Sequence, residues 1–237
     1  MTLLIDSAVN YFRRQKMGFI GGNMCVYYSL TQALNADFLG PDFFYVKDAD
    51  PTKPRAKWEV WNENNRFPNV IIELLSPTTT ANDLGSKKDI YEQTFQTPEY
   101  LAYDPTEKTL LGWRLSPLTN LYEPLEANDD GRLFSEELNL WIGTWQGTIE
   151  RQKTTWLRFF HADGGYVLRS DEEERVQKLE ERRAKLEERQ AKEDERQAKE
   201  DERQLKEDAL KLAASERAAK EAALAEVERL RKLLESK

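Results

Sequence analysis

Cysteine and histidine are nearly absent: the 237-residue chain carries one of each, Cys25 and His161. A single cysteine closes no internal disulfide, and one of each cannot supply a zinc tetrad. A Ser–His or Cys–His nucleophilic pair would have to be built on a turn residue, since His161 sits in FFHADGG. Cys25, within MCVYYS, is expected to be a small buried core residue. No stretch approaches the ~18 apolar residues of a membrane span. The opening MTLLIDSAVNYF lacks the basic start and apolar run of a secretory signal, so the expected compartment is the cytoplasm. Glycine-rich phosphate cradles are missing too: GSKK at 85–88 lacks P-loop spacing, and no GxGxxG occurs.

Absence also divides the chain. Beyond residue 170 there is no Gly, Pro, Trp, Phe or Tyr, and 39 of 67 residues are charged, 21 acidic and 18 basic. Such a segment cannot build a globular core. The first 170 residues hold all six Trp and nine Tyr and are long enough for one domain. The expected organisation is a globular domain over 1–170 and a charged heptad-repeat helix or coiled coil over 171–237. Both parts are acidic, at −5 and −3. That argues against tight non-specific binding of nucleic acid, while leaving room for a local basic groove.

The second segment repeats every seven residues: ERQAKED at 188–194 and 195–201, ERQLKED at 202–208, and a degenerate ERRAKLE at 181–187. Ala184, Ala191, Ala198, Leu205, Leu212 and Ala219 share one heptad position. The positions three or four along are mostly charged, so the seam is thin. Leucines return at Leu224, Leu230, Leu233 and Leu234. Propensity and opposite charges four apart, such as Glu188 with Lys192, favour helix throughout. Two readings follow: a solvated helix that supports itself, or pairing with a second copy near the C-terminal end.

In the first segment, LIDSAVNYFRRQ has helical spacing, with Asp6 or Ser7 as a cap. MCVYYSL and PDFFYVKD read as strands, and KWEVWNENNRFP as an edge strand or hairpin arm. NVIIELLS has the length of a strand covered on both faces. SPTTTANDLG reads as a loop, SKKDIYEQTFQT as a helix, and PEYLAYDPTEKTLLGWRL as a hairpin. Further strands are expected in LYEPL, LNLWIG and WLRFFHADGGYVL. The order predicts an α/β or α+β fold, a mixed sheet flanked by helices.

Glu73 breaks the apolar run VIIELL. An ionised carboxylate is too costly to bury without a partner or a metal, so it lies at a wet strand end or meets a cation. Asp42 opens DFFYV. If the two strands are neighbours, both acids point to one end and can share a divalent cation. Oxygen ligands suit Mg²⁺ or Mn²⁺, and a lysine nearby would stabilise charge developing on a phosphate.

GPDFFYV, NVIIELLSPTT, DLGSKKDIYEQ and TPEYLAYDP, in this order, resemble the Uma-type (Uma-two) restriction endonuclease family. That family is similar in fold to the PD-(D/E)XK nuclease superfamily. The resemblance covers residues 1–145. It implies a restriction-endonuclease-like domain that hydrolyses DNA phosphodiester bonds with Mg²⁺ or Mn²⁺. Asp42 matches the first acid and Glu73 the second, both as catalytic residues and metal ligands. The superfamily places its lysine two residues after the second acid, where this chain has Leu75. The resemblance supplies it from the following helix in a D-x-x-x-K-x-x-x-Y pattern that Asp83, Lys87 and Tyr91 fit. Lys87 is the expected catalytic lysine and Lys88 the substitute.

Each residue also has an ordinary reading. Asp42 would cap a turn after Pro41, Lys87 would face solvent, and Asp83 would cap the helix that follows. Asp104 and Tyr100 read as turn and packing residues. LSPTT reads as a turn whose Ser76 and Thr78 could touch a phosphate. A second function class accordingly stands beside the endonuclease: a catalytically inactive nuclease-like head that works through its C-terminal helix. The partners expected are DNA, met transiently, and a second copy through that helix.

Overall fold

The computed structural model describes residues 1–15, 18–35, 38–149 and 151–235, without the side chains of 14, 15, 32, 33 and 233–235. Leu233 and Leu234 of the expected leucine face therefore lie outside the described side chains. The elements in order are α1 (Thr2–Gln15), β1 (Phe19–Gly21), β2 (Val26–Tyr27), α2 (Leu30–Leu34), β3 (Phe43–Val46) and β4 (Trp58–Glu59). A 3-10 turn (Val60–Asn62) leads to β5 (Val70–Leu74), α3 (Thr80–Asp83), α4 (Ser86–Gln93), β6 (Glu99–Asp104), β7 (Thr109–Leu115) and β8 (Tyr122–Pro124). Then come β9 (Leu133–Ser135), β10 (Leu140–Ile149), β11 (Gln152–Phe160) and α5 (Ser170–Glu235). The fold is mixed α+β followed by one long charged helix.

The main sheet has six strands in the order β1-β3-β5-β6-β7-β8. Only β5 and β6 run parallel, joined by the crossover that carries α3 and α4. Because side chains alternate along a strand, the sheet has two apolar faces. Phe43, Tyr45, Val70, Ile72 and Leu101 meet Leu4, Ala8 and Phe12 of α1 and, beyond it, Ile142, Leu157 and Phe159 of the three-stranded sheet β11-β10-β9. Phe44, Val46, Ile71, Tyr100 and Ala102 meet Tyr91 and Phe95 from the α4 region, and Trp58 of the β2-β4 pair. Coverage on both sides is why VIIEL reads as a nearly continuous apolar run.

Several local expectations need correction. Helix α1 begins at Thr2, so Asp6 and Ser7 are inside it; Asp6 accepts a hydrogen bond from the Ser170 hydroxyl at 2.9 Å. Only Val26 and Tyr27 of MCVYYSL form a strand, and a helix starts at Leu30. Cys25 is half-buried rather than enclosed. Of KWEVWNENNRFP, only Trp58 and Glu59 form a strand; it is an edge strand paired parallel with β2, so the hairpin-arm alternative does not hold, and a 3-10 turn follows. SPTTTANDLG contains a short helix over Thr80–Asp83. LNLWIG and WLRFF do lie in strands as expected, and they belong to the two arms, Leu140–Ile149 and Gln152–Phe160, of one long hairpin.

The chain divides into two compact units, Met1–Glu174 and Arg175–Lys237. The first turn of α5 belongs to the globular unit: Glu172 holds the fully buried Arg158 through both carboxylate oxygens, and Glu173 accepts from Asn10 at 2.9 Å. Along the repeat, Glu188–Lys192, Glu195–Lys199 and Glu202–Lys206 form ion pairs four residues apart, and Gln190 and Gln197 donate to Asp194 and Asp201. No helix among the described residues is long and apolar enough to cross a membrane.

Candidate active site

Strand alternation decides which acids meet. Ile71 and Leu75 belong to the core under α4, so Glu73 between them points to that side, and Asp42 shares a face with Phe44. The antiparallel ladder pairs Phe43 with Ile72; one step further sets Asp42 opposite Glu73. Asp42 Oδ2 accepts from the Leu74 amide at 2.8 Å, and the Asp42 amide donates to Glu73 Oε2 at 3.3 Å. Asp42 thus caps the end of the neighbouring strand rather than a turn after Pro41.

The crossover brings the cation. Asp83 ends α3, and Lys87 and Tyr91 lie in α4, at four-residue steps that stack side chains on one face. Lys87 Nζ donates to Glu73 Oε1 at 3.1 Å, and the Tyr91 hydroxyl donates to the same oxygen at 2.8 Å. Lys87 Nζ also lies 2.8 Å from Asp83 Oδ1. Glu73 and Asp83 are each 2% exposed, and the Lys87 side chain 17%. Asp83 is therefore no helix cap: Gly85 holds that position without a side-chain cap, while Asp83 is the buried second partner of Lys87. Lys88 turns elsewhere, with Nζ 4.6 Å from the centre of the Trp113 ring.

The remaining expected residues serve the frame. Tyr100 stacks on Trp113 and donates its hydroxyl to the Asp83 carbonyl at 2.8 Å. Asp104 accepts the Thr106 and Glu107 amides in the β6–β7 turn. The Ser76 hydroxyl is engaged with those of Thr78 and Thr79 in a local turn. Leu75, where the superfamily pattern puts its lysine, is 5% exposed within the core under α4. An ammonium there would be stranded in apolar packing, whereas one from α4 reaches Glu73.

Burial dominates the electrostatics. It pushes the Glu73 carboxyl up to about 7, against the opposing pull of the Lys87 charge and the hydrogen bonds from Tyr91 and Lys87. Burial also pulls the Lys87 ammonium down, but Glu73 and Asp83 together hold it above the ordinary lysine value. Lys87 is thus a fixed cation that does not fully offset the cost of burying Glu73.

By type the two acids suit a hard divalent ion: Asp42 and Glu73 sit opposite each other on adjacent strands and offer oxygen donors, with Lys87 and Tyr91 on Glu73 Oε1 and the Asp42 amide on Glu73 Oε2. Mg²⁺ commonly binds through one or two carboxylates and fills its remaining positions with water and substrate phosphate. No group of three His, Cys, Asp or Glu that could hold a metal occurs among the described residues. Such an ion would therefore depend on solvent and substrate for most of its ligands.

What the fold and site define is an α+β domain with two acids and a lysine gathered beside a parallel strand pair. Residues 1–150 match the Uma2 family, described as Putative restriction endonuclease, and the chain belongs to that family. No curated protein matches the chain.

The sequence pattern included Asp83 and Tyr91 but gave them no place at the carboxylate. The available signal was their spacing, four residues either side of Lys87. What it lacked was the face on which α4 packs.

Proposed function

We propose that the globular unit is a metal-dependent endonuclease that hydrolyses DNA phosphodiester bonds. The observation that carries this reading is the convergence of Asp42, Glu73 and Lys87 at one end of the β3–β5–β6 ladder, in a chain of an endonuclease family. Asp42 and Glu73 would hold Mg²⁺ or Mn²⁺. Such an ion polarises a phosphoryl oxygen and lowers the pKa of bound water. The Leu74 amide fixes the Asp42 carboxylate, and Tyr91 fixes one oxygen of Glu73. Asp83 keeps Lys87 protonated and close by, placed to meet negative charge as it grows on the phosphate. Cutting both strands requires two such sites, and α5 is the segment through which a second copy would join.

One observation favours the alternative of an inactive head working through α5: Lys87 already occupies Glu73 Oε1, so the acid has a built-in counter-ion. Cleavage of supercoiled plasmid decides between them. The endonuclease nicks or linearises DNA with Mg²⁺ or Mn²⁺, and Asp42→Ala, Glu73→Ala and Lys87→Met each reduce this by at least two orders of magnitude. Glu73→Ala is a clean variant because Lys87 retains Asp83 as its partner. Equal cleavage by Glu73→Ala and the unmodified chain would refute the assignment.

A further inference from the structure

Strands β10 and β11 pair from Trp141–Phe160 out to Ile149–Gln152; the first half of this hairpin joins the core cluster, and in the outer half only Ile149, among the described residues, is buried. Ile142, Leu157 and Phe159 are buried, whereas Gln146, Thr148, Gln152, Lys153 and Thr154 are exposed. The outer half is a two-stranded ribbon stiffened from within. Trp145 and Trp156 face each other across the ladder, Trp156 Nε1 donates to the Gly147 carbonyl at 3.1 Å, and a Cβ at Gly147 would overlap the Trp145 ring.

The ribbon lies on the α1 face of the main sheet, opposite the face to which Glu73 points, at the strand end that carries Leu74 and Tyr103. The Tyr103 hydroxyl donates to the Thr155 carbonyl at 3.4 Å, and Tyr103 is the ladder partner of Leu74, the residue after Glu73. Residues directly opposite in an antiparallel pair share a face. Gln146 with Thr155 and Thr148 with Lys153 therefore form one face, which carries an amide, two hydroxyls and an ammonium. Beside it a shallow groove of about 310 Å³ is lined by Lys108, Gln146, Gly147, Lys153, Thr154 and Thr155. Lys108 is contributed by the β6–β7 turn. Among the described residues, two lysines and no carboxylate line this groove, in a globular unit whose net charge is negative.

The major groove of B-DNA, about 12 Å wide, admits a two-stranded ribbon, and amide and hydroxyl side chains read base edges there. We propose that the outer half of the β10–β11 hairpin is the duplex-DNA recognition element: Lys108 and Lys153 contact phosphates, and Gln146 and Thr148 face the bases. This rests on the nuclease reading only for its bearing on cleavage. The deep, narrow major groove of A-form RNA excludes such a ribbon, so the partner is DNA.

The test is fluorescence anisotropy of the full chain with a labelled DNA duplex in EDTA across a salt series. Lys108→Ala/Lys153→Ala should weaken binding on the order of tenfold and lower the log K against log salt slope by about 2, roughly 0.9 per lost phosphate contact. Gln146→Ala/Thr148→Ala should keep the slope and flatten preference among duplex sequences. An RNA duplex of the same sequence should bind more weakly. Unchanged slope and affinity in the double lysine variant, equal RNA binding, or no duplex binding by the unmodified chain would overturn the proposal. Ribbon-dependent binding without cleavage leaves it standing and removes the nuclease reading. Metal-dependent cleavage with an indifferent ribbon does the reverse. Unaltered tryptophan-monitored melting of the variants separates lost contacts from lost folding.

Discussion

Glu73→Gln should change how the stability of the globular unit depends on pH. The Glu73 carboxyl is pushed up to about 7 in the folded protein, against 4.5 for an ordinary glutamate. Between those values the folded state keeps a proton that the unfolded chain releases. Stability from this group is therefore fully present below about pH 4.5 and is lost as pH rises through about 7. A gap of roughly two to three units, at ~1.4 kcal/mol each, makes the loss about 3 kcal/mol. With Glu73 only 2% exposed, solvent screening does not reduce this much. Other groups titrate over the same range; Glu99, pushed up by burial, acts in the same direction. The informative quantity is therefore the difference between variant and unmodified chain. Urea unfolding followed by tryptophan fluorescence reports on the globular unit alone, because all six Trp lie in the first 170 residues. From about pH 5 to about pH 8 the unmodified chain should lose about 2–4 kcal/mol more than Glu73→Gln. Identical pH dependence in the two would refute the claim that burial governs this carboxylate.

Lys87→Met leaves Glu73 and Asp83 buried without their cation and should cost about 3–5 kcal/mol in the same unfolding assay. Lys88→Met, which removes only the ammonium over Trp113, should cost ~1 kcal/mol or less; equal losses would contradict the division of labour between the two lysines. Among the described residues, Glu172→Ala leaves the fully buried Arg158 with the Val167 carbonyl and the Tyr166 and Trp145 rings. It should destabilise the globular unit by about 3–5 kcal/mol, and a change under ~1 kcal/mol would show that the first turn of α5 is dispensable to it. Ala198→Pro, at a local cost of about 3 kcal/mol, should reduce circular dichroism at 222 nm and leave tryptophan emission unmoved, as expected of a helix held by its own ion pairs.

The parts of the fold legible in the sequence were those with a strong local period. VIIELL and the PEYLAYDPTEKTLLGWRL hairpin lie where their patterns put them, and the helix expected over SKKDIYEQTFQT forms over its first eight residues, ending at Gln93, because burial on defined faces imposes those patterns. GFIGGN concealed strand β1, since a three-residue edge strand containing Gly21 has too little alternation to detect. The two-residue strands β2 and β4 follow from tertiary pairing, which no local window contains. At the site, Glu73 was conspicuous as a lone charge in an apolar run. Asp83 was not, because an acid before a helix has the same local appearance whether it caps the helix or is buried against a lysine. The choice between Lys87 and Lys88 depended on the rotation of α4, which is set by the packing of Tyr91 and Phe95. The docking of Arg158 onto Glu172 links residues whose pairing only the completed fold reveals.

The most direct test of a divalent cation shared by Asp42 and Glu73 is titration of Mg²⁺ and Mn²⁺ into the full chain and Glu73→Ala, followed by tryptophan-monitored melting. A ligand that binds the folded state alone raises Tm with concentration. A saturable rise is expected for the unmodified chain, larger at about pH 8 than at about pH 5 because Glu73 must be ionised to bind, and none for Glu73→Ala. No rise in the unmodified chain, or the same rise in both, would contradict such a shared cation.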